Sequence, residues 1–128
     1  MKRIGEVVKE LAISADTLRY YEKIELMPRV QRNSAGVRMY SERDLSKLRF
    51  IKRAQKMKFS LDEIAELLIF RAEPQRAKPH IRALAHRKLD DIEQHLEELT
   101  ILYNELRLLT NLCTDVSEGC PILDSFED

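Results

Sequence analysis

From residue 89 onward the apolar side chains fall on a seven-residue repeat. Leu89, Leu96, Tyr103 and Thr110 hold one position, and Ile92, Leu99, Leu106 and Cys113 hold the position three residues later. Such a repeat keeps one seam on one side of a helix. A helix over residues 80–112 would be about 50 Å long at 1.5 Å per residue, and by itself it has nothing to cover that seam. The pattern therefore predicts a coiled coil with a second copy, a homodimer. In an antiparallel pair the start of one helix lies beside the end of its partner. Five repeats back from Cys113 stands Lys78, so that pairing sets Lys78 of one copy beside the segment that follows Cys113 in the other.

The chain has 128 residues, enough for one small domain beside such a helix but not for two separately packed ones. A charged fraction of 34% with 6% aromatic residues and three glycines suits a helix-rich soluble protein. No apolar run approaches the roughly 18 residues needed to cross a bilayer, and the charged residues of MKRIGEVVKEL argue against a signal peptide. A cytoplasmic location is expected. There the two cysteines, Cys113 and Cys120, stay reduced rather than bridged.

Zero net charge conceals a division. Residues 1–71 carry 16 Lys and Arg against 10 Asp and Glu, and residues 72–128 carry 6 against 12, so the halves are +6 and −6. The first half suits phosphate contacts; the second would be repelled by DNA.

Ile4, Val7, Val8 and Leu11 mark one face of a short helix. After a break at Ala12 and Ile13, Ser14 caps a second helix that buries Leu18 and Tyr21 and leaves Asp16, Thr17, Arg19 and Tyr20 outward. Two short helices across a tight turn form a helix-turn-helix, whose second helix enters the major groove. Thr17, Arg19 and Tyr20 are the candidate DNA contacts. Residues 27–40 then read as a two-stranded hairpin, or wing, turning at Asn33-Ser34-Ala35-Gly36 and carrying Arg29, Arg32 and Arg38. Cations there would grip the phosphate backbone and set the position of the module without reading sequence.

Ser41 opens a helix to about Met57 that buries Leu45, Leu48, Phe50 and Ile51 and leaves Lys52, Arg53, Lys56 and Lys58 in solvent. Phe59, Ser60 and Glu63 form a hydrophobic lead-in and capping box for a helix running to residues 68–70. Pro74 and Pro79 punctuate a connector, and Pro79 fits the first position of the long helix. The expected division is 1–71 for DNA binding, 72–79 as connector, 80–112 for dimerisation and 113–128 as a ligand loop and tail. Cys113 and Cys120 bracket six mostly polar residues where the rigid helix ends, which suits a soft metal held by two thiolates. A thiol redox switch is the alternative for the same pair. No Gly-rich phosphate loop, Cys-x-x-Cys or nucleophile set is present to suggest an enzyme.

Taken in order, Ile4-Gly5-Glu6, Asp16-Thr17-Leu18-Arg19-Tyr20-Tyr21-Glu22, Arg38-Met39-Tyr40, Leu48-Arg49-Phe50-Ile51, Leu61-Asp62-Glu63-Ile64 and Cys113 to Cys120 followed by Pro121-Ile122-Leu123 resemble the metal-responsive regulators of the MerR family over nearly the whole chain. The resemblance implies a mainly α fold: a winged helix-turn-helix DNA-binding domain, a long antiparallel coiled-coil dimerisation helix and a short C-terminal metal-binding loop. It implies a homodimer on a palindromic promoter, where bound metal makes the protein bend and untwist the DNA so that RNA polymerase engages. It adds Tyr40 to the DNA contacts and makes Cys113 and Cys120 the metal ligands. Metal export or resistance is the implied output.

The chain departs from that pattern at Lys78. Sensors of divalent metals such as zinc, cadmium, lead or mercury usually place a cysteine there, and copper, silver or gold sensors a serine. Charge gives another guide. Two thiolates with a monovalent ion make a complex of net charge −1, which a Lys78 ammonium would favour, so Cu(I) is preferred over Zn(II) or another divalent soft metal. A divalent ion remains the alternative, with His80, His86 or an acid adding ligands.

Overall fold

The structure, a computed structural model, describes residues 1–113; the expected ligand at Cys120 and the rest of the tail lie outside the described residues. The order of elements is β1 (Lys2–Arg3), α1 (Ile4–Leu11), α2 (Ala15–Lys23), β2 (Gln31–Arg32), β3 (Arg38–Tyr40), α3 (Glu42–Lys56), α4 (Leu61–Ala72), a 3-10 turn at Pro74–Arg76 and α5 (Pro79–Leu112). The chain is mainly helical, as its periodicities predict.

Residues up to Leu84 form one compact unit. Three of its helices, α2, α3 and α4, start where a serine side chain accepts one of the first free N–H groups. Ser14 Oγ accepts from Thr17 N at 3.1 Å. Ser41 and Ser60 make full capping boxes with Asp44 and Glu63. Val7, Leu18, Tyr40, Leu45, Leu48, Ile51 and Ile64 are almost wholly buried and make one core with Leu11, Ile13, Tyr21, Leu26, Met27 and Val30. Each large aliphatic side chain so placed contributes about 1.5–3 kcal/mol. Phe50 differs from expectation. It is half-buried beside the core, and the Arg71 guanidinium lies 5.7 Å from its ring centroid.

The wing is a three-stranded sheet, not the two-stranded hairpin expected, because β1 adds to the free edge of β3 in the order β1-β3-β2. Both pairings are antiparallel, with Lys2 opposite Tyr40 and Arg32 opposite Arg38. At the tip Gly36 N donates to the Asn33 carbonyl and Asn33 N to the Val37 carbonyl, both at 2.9 Å. Gly36 takes φ +79°, the left-handed position at which this kind of turn favours glycine.

α3 braces the helix-turn-helix from behind. The Lys52 ammonium donates to the Leu11 carbonyl at the end of α1, and Tyr21 Oη donates to Gln55 Oε1 at 2.7 Å. Lys52 is thus half-buried and structural, where the sequence suggested a solvated face.

The second unit begins at Ala85. Its described residues are the remainder of α5 and Cys113, whose N–H continues the helix to the Leu109 carbonyl at 2.9 Å. Leu89, Leu96, Leu99, Tyr103 and Leu106, five of the heptad positions, are all exposed in the single chain. Among the described residues no helix is long and apolar enough to cross a membrane.

Candidate nucleic-acid interface

α1 and α2 meet across Ala12 and Ile13. Ala12 adopts φ 54° and ψ 43°, which reverses the chain, and Ile13 drops into the core. With Leu18 and Tyr21 inward, α2 turns its other face out: Tyr20 is 49% exposed, and the Arg19 side chain is 51% exposed. Arg19 Nη1 donates to Asp16 Oδ1 at 3.0 Å, one helical turn back. That exposed pair is worth little energetically, but it steadies a long side chain. Thr17 is only half exposed, and its hydroxyl lies 2.7 Å from Ser14 Oγ.

The wing brings its cations to the same side. Arg19 and Lys23 of α2, Arg29, Arg32 of β2 and Arg38 of β3 line one open concavity of about 590 Å³, with Glu22 and Glu25 as the only acids. Arg29 and Arg32 are exposed. Arg38 is not a free cation: its Nε donates to Glu22 Oε2 at 2.6 Å, and its side chain is 19% exposed. Glu22 Oε1 also accepts from Val30 N at 3.2 Å. Burial opposes ionisation of that carboxyl, but the hydrogen bond and charge of Arg38, the Val30 N–H and the more distant Arg32 outweigh it and hold its pKa below the ordinary value.

Tyr40 does not belong on this surface. It is 2% exposed, because β3 turns it against the core, where burial raises its hydroxyl pKa. It supports the wing from beneath. Conversely, Lys52 and Lys56 line a second concavity with Ser14 and Thr17, at the amino end of α2. Their place beside α2 arises from a contact across some forty residues, for which the sequence carries no local signal.

The expected ligand region is only partly described. Cys113 is half-buried at the end of α5. Lys78 is exposed, and its carbonyl accepts from Ile81 and Arg82 at the start of α5. His80 Nε2 faces Glu66 Oε1 at 3.6 Å. Among the described residues no three His, Cys, Asp or Glu side chains gather in a way that could hold a metal ion.

A helix-turn-helix whose outer face adjoins an arginine-bearing wing defines a winged helix-turn-helix protein of the DNA-binding kind. Residues 2–69 match the family described as MerR HTH family regulatory protein, and residues 45–109 match the one described as MerR, DNA binding. The HTH-type transcriptional regulator ZntR of Escherichia coli K12 is 34% identical over 131 residues, covering 99% of this chain and 93% of the relative. The mercuric resistance operon regulatory protein of Bacillus cereus is 33% identical, covering 96% and 95%. The crystal structure of the transcription regulator PbrR691 from Ralstonia metallidurans CH34 in complex with lead(II) superposes with a TM-score of 0.59 at 34% identity, covering 98% and 99%. The chain belongs to the MerR family of helix-turn-helix transcriptional regulators. These relatives are regulators of transcription rather than enzymes.

Proposed function

We propose that the protein is a homodimeric, metal-responsive activator that binds a palindromic promoter through Thr17, Arg19 and Tyr20 of α2 and Arg32 and Arg38 of the wing. The observation that carries the DNA reading is the cationic concavity shared by α2 and the wing. Arg19 and Tyr20 face base edges, while Arg29 and Arg32 grip phosphates on either side. Arg38 acts mainly by holding the wing against α2. The exposed heptad seam of α5 supports pairing with a second copy, and an antiparallel arrangement would bring Lys78 of one copy near the Cys113 loop of the other. The working division is 1–71 for DNA binding, 72–79 as connector, 80–112 for dimerisation and 113–128 for metal.

In this reading the Cys113 and Cys120 thiolates hold the inducing ion, and the loaded dimer distorts the promoter so that RNA polymerase engages. Export of, or resistance to, that metal is the output. Similarity to regulators named for mercuric resistance and solved with lead(II) supports a soft-metal signal. The charge of Lys78 favours Cu(I); a divalent ion is the second reading, since those two relatives are associated with divalent metals. A thiol redox signal through the same cysteine pair is the third.

Anaerobic titration of the reduced dimer with Cu(I) and with Zn(II), against competing chelators, separates these. Tight Cu(I) binding that Cys113→Ser and Cys120→Ser each abolish, with promoter binding intact, is the expected result. Tight Zn(II) binding favours the divalent reading. Binding of neither ion, with promoter activation that follows oxidation, favours the redox one.

A further inference from the structure

α3 carries a second group of cations on the side away from the helix-turn-helix. Arg43, Lys47 and Phe50 are spaced four and three apart and so share one stripe. Lys52, which reaches the Leu11 carbonyl, stands nine residues after Arg43, about half a turn round the helix. Against that stripe lies the end of α4, and the two helices enclose a cleft of about 500 Å³ lined by Arg43, Lys47, Leu68, Arg71 and Ala72.

Among the described residues the lining of this cleft is cationic without an acid. Arg71 donates to Ser46 Oγ and lies over Phe50, two neutral partners that fix its guanidinium without cancelling its charge. Among the described residues Arg43, Lys47 and Arg71 have no carboxylate partner, whereas Lys2, Arg19, Arg38 and Arg49 of the same unit each pair with an acid. Three cations converging without an acid, around an apolar floor of Leu68 and Ala72, raise the local concentration of an anionic partner.

We propose that this cleft is a docking site for an acidic protein segment that carries apolar residues between its carboxylates. The inference rests on the DNA-binding reading only in that it assigns the opposite side of α3 to DNA. A row of phosphates gains nothing from apolar side chains between the cations. Here the cations ring a hollow with an apolar floor, which suits a narrow peptide. The immobilised Arg71 fork matches a carboxylate in two-point contact, and leucine-sized side chains can cover Leu68. A regulator seated on its promoter would thus keep a separate surface for a protein partner.

Fluorescence anisotropy with a short labelled peptide of glutamates interrupted by leucines tests the assignment on the full-length protein, both free and bound to its promoter duplex. The expected result is binding in both states. The Arg43→Gln/Lys47→Gln double variant and Arg71→Gln should each lose about tenfold in peptide affinity, the scale of one charge-assisted contact. Promoter affinity should hold within about twofold, since a lost phosphate contact would cost more and flatten the salt dependence. Thermal melting shows whether Arg71→Gln still folds; the double variant, which leaves the Phe50 contact in place, carries the test regardless. Peptide affinity unchanged in the double variant overturns the proposal. So does a parallel loss of promoter affinity, or tighter binding of a random duplex than of peptide at this cleft, because the surface would then belong to nucleic acid. Failure of the wild-type protein to bind its promoter would sink the DNA reading alone, since the free-protein arm still reads the cleft.

Discussion

Arg38 Nε donates to Glu22 Oε2 at 2.6 Å, and through this contact the wing and the recognition helix are held as one body. The other carboxylate oxygen takes the Val30 N–H, so a single side chain on α2 fixes both the strand and the loop that leads into the wing. Both members of the pair are largely buried, at 19% and 13% side-chain exposure, which makes the contact stronger than a surface ion pair and its loss more costly.

Glu22→Gln should lower stability by about 1–3 kcal/mol, the range for leaving a charged hydrogen-bond partner unsatisfied. It should also weaken promoter binding, because Arg32 and Arg29 would no longer be presented in a fixed position. The stability effect depends on pH. The folded pKa of Glu22 lies below its ordinary value of 4.5, so the carboxylate contributes fully above that pH and its contribution is lost as the pH falls through the folded value. Urea midpoints at pH 7 and in the acid range should therefore differ less for Glu22→Gln than for wild type. An equal difference in both proteins would remove Glu22 from the account.

Ala12 offers a test of strain in the turn. Its φ of 54° lies in the left-handed region, where a Cβ costs about 1–2 kcal/mol and glycine avoids that cost. Ala12 is exposed, so little packing is lost on substitution. Ala12→Gly should raise stability by about 0.5–1 kcal/mol after the extra chain entropy of glycine is counted. A lower melting temperature would mean that the methyl group has a packing role.

Arg19 and Arg32 should separate base reading from phosphate contact. Arg32→Ala should weaken binding to all duplexes alike and reduce the slope of log affinity against log salt by about 0.9. Arg19→Ala should cost about 1–3 kcal/mol on the promoter and less on unrelated sequence. Filter binding over a salt series distinguishes them, and equal losses on both duplexes for Arg19→Ala would move that residue to the phosphate group.

Much of this arrangement is written in local sequence. The caps at Ser14, Ser41 and Ser60 act on N–H groups three residues on, and the heptads of α5 repeat within one helix, so both are visible without tertiary information. Features made by distant partners are not. β1 has two residues, too few to show an alternation, and exists only because β3 offers it an edge. Lys52 and Phe50 depart from the pattern of their own helix because the Leu11 carbonyl and the Arg71 guanidinium that engage them come from other elements. At the site, helical periodicity was enough to turn Arg19 and Tyr20 outward. It could not show that Arg38 is held by a carboxylate sixteen residues earlier, or that Tyr40 faces the core.

The seam of α5 predicts an oligomeric state. Leu99 and Leu106 stand at successive equivalent positions and are 48% and 52% exposed in the single chain. Wild type should sediment as a dimer, and Leu99→Glu/Leu106→Glu as a monomer that no longer binds a two-half-site promoter, while the helix-turn-helix unit keeps its melting transition. A dimer that survives both charges would show that another surface of the chain forms the pair.

Lys78 gives the sharpest prediction on selectivity, since it tests pairing and charge together. A bis-thiolate Cu(I) complex carries −1 and a bis-thiolate Zn(II) complex is neutral, so a nearby ammonium stabilises the first and leaves the second almost unchanged. At a separation of some 6 Å and an effective dielectric between those of protein and water, the preference is about 1–2 kcal/mol, or about tenfold in affinity. Within one chain Lys78 precedes the first turn of α5 and Cys113 follows its last, so the effect requires the partner's copy of the lysine. Lys78→Met should therefore lower Cu(I) affinity about tenfold relative to Zn(II) in the dimer, and Lys78→Arg should largely retain it. The same ratio of affinities in wild type and Lys78→Met would place the lysine away from the thiolates, leaving it the role its carbonyl has in accepting from the first turn of α5.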